Sequence, residues 1–221
     1  MCFSQRTSLV SYSIGLLSAF VALAGGQYVL GMLILFFVQI QLSEFIIWRG
    51  IDQGDLGMNR VGTLLNKYTL PSHNIGIGLG ILLSLWMVGV VPELKDYIPL
   101  VIGILFYLWV VLCVYKKGDP DTTLPADGCT DDTERCQNSE NRLVWKYPHH
   151  WYLYGFIISL IFLYMYGTPG TQMYLFAFFI GTFLGSSYFF TGFTVGSMWC
   201  FASAVLSPLA VLSALAAAKR E

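Results

Sequence analysis

Residues 28–48 read YVLGMLILFFVQIQLSEFIIW, a run with a single formal charge and an aromatic residue at each end. A hydrocarbon core about 30 Å thick is crossed by roughly 20 mainly apolar residues in a helix. The run is therefore predicted to be a transmembrane helix, with Tyr28 and Trp48 at headgroup level, where amphipathic rings collect. Six further stretches qualify by the same standard, at about residues 8–25, 75–91, 97–115, 151–166, 172–190 and 195–218. The predicted architecture is all-α: a polytopic transmembrane helix bundle of seven spans, forming one domain over residues 1–221.

Composition points the same way. Of 221 residues, 56% are hydrophobic and 11% are charged. A soluble domain carries about 25% charged residues, so much of this chain's surface is expected to face lipid. The formal net charge of −1 offers no footprint for a nucleic-acid partner. The expected partners are the lipid bilayer and either partner membrane helices or further copies of the chain. Only Arg6 is charged ahead of the first apolar stretch, which leads directly into the second, so no cleavable signal peptide is expected.

Two links between spans are long. Within residues 50–74, Met58, Val61, Leu65 and Tyr68 recur at three- and four-residue steps, with Asn59, Arg60, Asn66 and Lys67 mostly on other faces. This predicts an amphipathic helix at about residues 56–69, an interfacial helix or an extension of the third span. Residues 116–150, rich in Asp, Gly and Pro around Cys129 and Cys136, are predicted to form the largest exposed loop. Seven spans would put Arg6, Arg49, Arg60, Lys67, Lys116, Lys117, Arg135, Arg142 and Lys146 on the face that carries the N-terminus. Lys95, Lys219 and Arg220 would fall on the other, so the positive-inside rule predicts a cytosolic N-terminus. A disulfide between Cys129 and Cys136 would need an oxidising compartment and argues the other way.

The most informative polar group is Gln41-x-x-Glu44-x-x-x-Trp48, with Asp52 one further turn on. Steps of three and four place these side chains on one stripe of a helix. Glu44 is the only formal charge clearly inside a predicted span. An acidic residue at a helix centre costs about 2.5–3.5 kcal/mol on insertion scales, so it is expected to face protein or water. It is either protonated or paired with Arg49, Arg60 or His73. Two readings stand side by side: a proton- or cation-binding group or general acid/base, and a helix-to-helix hydrogen bond near the interface.

Other features weigh less. Ser8, Ser11, Gly15, Ser18, Ala22 and Gly25 form a small-residue face in the first span, and similar spacings occur at Gly76 and Gly80, Gly181 and Gly185, and Gly192, Gly196, Cys200 and Ala204. Such faces let helix backbones approach closely. His73, His149 and His150 lie at the mouths of two spans without the spacing of a metal motif. No catalytic, nucleotide or dinucleotide motif is present, and no cofactor is expected. The last span has no central lysine to carry a retinal Schiff base.

Met1-Cys2-Phe3-Ser4 with Ser8, then Gln41-x-x-Glu44-x-x-x-Trp48, then Gly196-Ser197-x-Trp199-Cys200 occur in that order along the chain. On these islands the chain resembles a family of small multi-pass membrane proteins that open with Met-Cys-Phe-Ser and occur in microbes and large DNA viruses. The resemblance implies no reaction. It marks Cys2, Ser4, Gln41, Glu44, Trp48, Trp199 and Cys200 as positions of interest, and His73 joins them as a candidate for the same pocket on the reading of the residues. Three functions are compatible with this inventory. They are translocation of a small solute or ion using the intramembrane carboxylate, a structural subunit that binds helices or lipid, and an intramembrane metal-dependent enzyme using Glu44 with a histidine.

Overall fold

A computed structural model describes residues 4–115, 123, 143, 150–166, 172, 180–190 and 194–219. Among these the ordered elements are helices: α1 (Gln5–Ala24), α2 (Tyr28–Gln53), α3 (Leu56–Thr69), α4 (His73–Met87), α5 (Ile98–Trp109), α6 (His150–Tyr166), α7 (Gly181–Phe189) and α8 (Thr194–Ala218). Short 3₁₀ turns precede α4 and α5, and a π-helical turn, Val110–Val114, extends α5.

Among the described residues, five stretches are long and apolar enough to cross a membrane: Gln5–Ala24, Tyr28–Gln53, Leu56–Met87, Leu94–Val114 and Met198–Ala218. A shorter apolar stretch, Ile157–Tyr166, lies in α6. Of the stretch expected at 172–190, only residue 172 and residues 180–190 are described.

Of the two alternatives for residues 56–69, the structure has the helix as an extension of the third span, the two together forming one long rod. α3 passes through the turn Leu70–Ser72 into α4 without leaving helical backbone geometry. The rod begins sharply. Gly54 adopts a left-handed conformation (φ 66°) that caps α2, and the Asp55 carboxylate accepts the Met58 N–H at 3.0 Å to open α3. Val88 closes the far end at Ser84 and Trp86. The amphipathic pattern of α3 is turned inside out. Leu56, Val61, Leu64, Leu65 and Tyr68 are exposed, whereas Asn59, Gly62, Thr63, Asn66 and Lys67 are buried. A helix with that polarity is stable only where the outer solvent is apolar and the polar side chains find partners within.

α2 stands at the centre, with neighbours on three sides. α1 folds back on it through Gly25-Gly26-Gln27, with Gly15 against Val38 and Gly31 against the Ala19 carbonyl. The α3–α4 rod runs antiparallel to it over its whole length: Gly50 meets Asn59, Gly62 meets Ser43 and Ile47, Gly76 meets Met32 and Phe36, and Gly80 meets Tyr28 and Val29. α8 completes the ring. It contacts both α1 and α2 and runs parallel to α1, as Gly15 faces Ala204 and Gly25 faces Leu215. α5 and α6 pack outside α4 around the buried Asn74, whose Oδ1 accepts from Ser159.

Two small-residue faces thus serve close packing as expected, in α1 and at Gly76 and Gly80. For Gly181 and Gly185, a Cβ would meet none of the described residues within 4 Å. Gly192 lies outside the described residues, and Ala204 faces α1.

A Cβ at residue 62 would sit 2.8 Å from the Ile47 backbone nitrogen and 3.0 Å from the Ser43 carbonyl oxygen. Because backbone cannot step aside as a side chain can, Gly62→Ala is expected to lower stability by about 1–3 kcal/mol. Gly185→Ala is expected to leave it unchanged or raise it by up to ~1 kcal/mol, as for glycine replaced in an open helix. Thermal unfolding of both variants in detergent checks the pair.

Candidate functional site

The inner face of the C-terminal half of α2 carries Gln41, Ser43, Glu44, Ile47 and Trp48, all buried. Glu44 is 2% exposed and Gln41 is 0% exposed. The Glu44 Oε2 accepts from Gln41 Nε2 at 3.0 Å, and the Gln41 Oε1 accepts from the Ser11 hydroxyl at 2.7 Å. That hydroxyl also lies 3.0 Å from the Ser8 carbonyl oxygen. A polar relay therefore leads from the first turns of α1 to the carboxylate. Hydrogen bonds to a charged group contribute about 1.5–3 kcal/mol each, which offsets part of the cost of holding an acid among helices.

Helical periodicity explains why Glu44 is inside while its basic neighbours are not. Arg49 falls on the outer side of α2 and is exposed, as are Arg60 on α3 and Asp52 near the end of α2. The expected continuation of the inner stripe to Asp52 fails because the flanking helices no longer cover α2 there. Ser8 and Trp48 each bury a polar atom, Oγ and Nε1, that has no hydrogen-bond partner. An unmatched buried donor or acceptor costs about 1–3 kcal/mol, and Trp48 lies one helical turn from Glu44.

α8 supplies the floor. Trp199 is packed edge-on between Phe37 (ring centroids 6.4 Å apart) and Phe183 (5.1 Å). Cys200, next to Trp199 on α8, is fully buried. α1, α2 and α8 pack on one another, and Ser11 rather than Ser4 is the α1 residue bonded to Gln41. Ser4 is exposed and caps α1, accepting the Thr7 N–H at 3.3 Å. Cys2, His149, Cys129 and Cys136 lie outside the described residues, and only the backbone of His150 is described.

His73 is not at this level. It begins α4, one turn before Gly76, which packs on Met32 and Phe36. That places it roughly 10 Å along α2 from Glu44 at 1.5 Å rise per residue. Its Nδ1 lies 2.7 Å from the Leu70 carbonyl oxygen across the turn that joins α3 to α4. Among the described residues, no three His, Cys, Asp or Glu side chains come together in a metal-ligating group.

A second polar cluster lies along α3, and sequence reasoning did not single it out. Asn59 Nδ2 donates to the Thr123 carbonyl at 2.8 Å, while Asn59 Oδ1 accepts the Thr123 N–H at 2.9 Å. The Thr63 hydroxyl reaches Asn59 Oδ1 and the Thr123 hydroxyl at 3.1 and 2.9 Å. Leu143, 1% exposed, packs on Ile47 and Trp48. Thr123 and Leu143 both belong to the stretch expected to be the largest exposed loop, and both are buried; most of its remaining residues are outside the described set.

Lys67, further along α3, is 7% exposed, so Glu44 is not the only formal charge within a span-length helix. Its Nζ lies 4.5 Å from the centre of the Tyr115 ring, 5.7 Å from that of Tyr68 and 3.5 Å from the Tyr115 carbonyl oxygen. Aromatic faces and a carbonyl attract an ammonium where water is excluded. The π turn sets this up, since the Tyr115 N–H bonds five residues back to Val110 at 3.1 Å. The available signal was the polar spacing of Asn59, Thr63, Asn66 and Lys67, legible as a stripe but not as a core.

No family model, curated protein or solved structure matches this chain.

The Asn59 carboxamide pairs with both polar backbone groups of one residue, the Thr123 N–H and C=O, as a neighbouring strand would. Asn59→Ala is expected to cost about 1–3 kcal/mol, because two buried backbone groups lose their partner. Hydrogen exchange at the Thr123 amide should accelerate at least tenfold in the variant and remain slow in the wild type.

Proposed function

We propose that this protein is a polytopic bundle that crosses the bilayer seven times, with a cytosolic N-terminus, and that it moves a small solute or ion using Glu44 as the binding group. What carries the reading is a carboxylate with 2% exposure at the end of a relay through Gln41 and Ser11 on the adjoining helix. An ionisable side chain in a membrane is expensive and faces a functional interior more often than lipid. The five span-length helices support a polytopic chain, and α6 and α7 fall where the fifth and sixth expected spans were placed. The excess of Lys and Arg on the N-terminal face supports the orientation. The resemblance to the family that opens with Met-Cys-Phe-Ser marks the same residues, Gln41 and Glu44, as positions of interest.

Charge selectivity follows from the relay. Gln41 Nε2 donates to Glu44 Oε2, so the carboxylate is oriented as an acceptor and suits a proton or a small cation rather than an anion.

A structural reading has its own supporting observation: α1, α2 and the α3–α4 rod are held by backbone-distance glycine contacts that leave little room to slide. Reconstitution into liposomes with pH and ion reporters separates the two. Translocation predicts a wild-type flux that falls at least tenfold in Glu44→Gln and more modestly in Gln41→Ala. A flux indifferent to Glu44→Gln removes the carboxylate from the mechanism. Absence of any wild-type flux, with a membrane partner co-purifying at fixed stoichiometry, favours the structural role.

A further inference from the structure

Beside the buried stripe of α2, one position further round the helix, lies a second constellation. Phe45, Arg49 and Asp52 follow one another at steps of four and three, so they share a stripe. Two grooves flank Phe45. One, of about 410 Å³, opens between α1 and α2, with Leu9 and Phe45 as apolar lining and Arg6 and Asp52 at its rim. The other, of about 490 Å³, opens between α2 and α3, lined by Phe45, Ile46, Met58 and Val61, with Arg49 and Asp55 at its rim. Each groove thus combines an apolar wall, one guanidinium and one carboxylate. Both lie at the end of the bundle where Trp48 and the α2–α3 turn sit, the level expected for headgroups.

We infer that these two grooves are seats for phospholipids with a zwitterionic, amine-bearing headgroup, which lay an acyl chain against Phe45. The inference rests on the bilayer reading above, but not on Glu44 or on translocation. A guanidinium meets two phosphate oxygens through parallel N–H donors, which assigns the phosphate to Arg6 in one groove and Arg49 in the other. The carboxylates then decide which lipid. A headgroup that presents only negative charge would place it beside Asp52 or Asp55, whereas an ammonium is attracted there. Asp55 commits Oδ1 to the Met58 N–H and so sits fixed at its rim. The balance of one positive and one negative group in each groove matches a headgroup with the same balance, and a uniformly basic patch would have matched an anionic lipid instead. Leu9, Met58 and Val61 offer the hydrocarbon continuity that a soluble phosphate would not use.

The test is native mass spectrometry of the full chain released from bilayers of equimolar phosphatidylethanolamine and phosphatidylglycerol. The wild type is expected to retain up to two lipids, with phosphatidylethanolamine preferred at least threefold. Arg6→Gln and Arg49→Gln should each lose one, the double variant both, and Phe45→Ala should weaken both. Asp52→Asn should shift its groove towards phosphatidylglycerol, a readout that a merely structural role would not move. All these side chains except Phe45 are exposed, so the charge variants are expected to unfold at the wild-type temperature. Equal retention in the double variant, preference for phosphatidylglycerol in the wild type, or a dimer of the chain with no lipid would each overturn the assignment. None of these outcomes depends on the flux measurement, so failure here and failure of the translocation reading remain distinguishable.

Discussion

Everything else in this structure depends on how closely other backbones approach α2. Four glycines, Gly50 on α2 and Gly62, Gly76 and Gly80 on the facing rod, lie along one antiparallel seam, where a Cβ would meet backbone or side-chain atoms at 3 Å or less. In water such a seam is one stabilising device among several. In hydrocarbon it matters more, because apolar side chains gain little by leaving lipid for protein, and dispersion and short contacts hold helices together. The seam fixes α3 against α2 along its full length. It also fixes which face of α3 looks inward.

That fixed face explains the distribution of polar groups. Asn59, Thr63, Asn66 and Lys67 turn towards protein because their helix is held that way round, and each then needs a partner. Asn59 and Thr63 find theirs in Thr123, Lys67 in the rings of Tyr68 and Tyr115. On the opposite flank of α2, hydrogen bonds link Ser11 to Gln41 and Gln41 to Glu44. The two clusters lie at the same end of the bundle, so its interior is polar at one end. At the other, Leu30, Ile34 and Ile77 pack with the apolar residues of α1 and α8.

The inner and outer stripes of α2 divide its chemistry. Gln41, Glu44 and Trp48 face protein, while Phe45, Arg49 and Asp52 face the surroundings only one position further round the helix. The buried Glu44 carboxylate accepts a hydrogen bond from the Gln41 amide of the same helix, while Arg49 one position beyond the stripe is exposed.

Much of this was legible in the residues. The length and hydropathy of residues 28–48 dictate a span. The spacing of Gln41, Glu44 and Trp48 dictates a shared face, and the small residues of α1 dictate a packing face, because helical periodicity and hydrocarbon thickness act on local sequence alone. What local sequence could not decide was which neighbour lies against each face. The amphipathic pattern of residues 56–69 is the same whether its polar side meets water at an interface or asparagine and threonine partners in a core. Only the glycine seam selects the second. Likewise, Thr123 and Leu143 read as exposed loop, since nothing near them in sequence reports Asn59 or Trp48. His73 and Glu44, both inward-facing candidates, share a helical hairpin but not a height along it. Periodicity sets the direction of a side chain. Its depth and its partners are set by contacts between residues far apart in the chain.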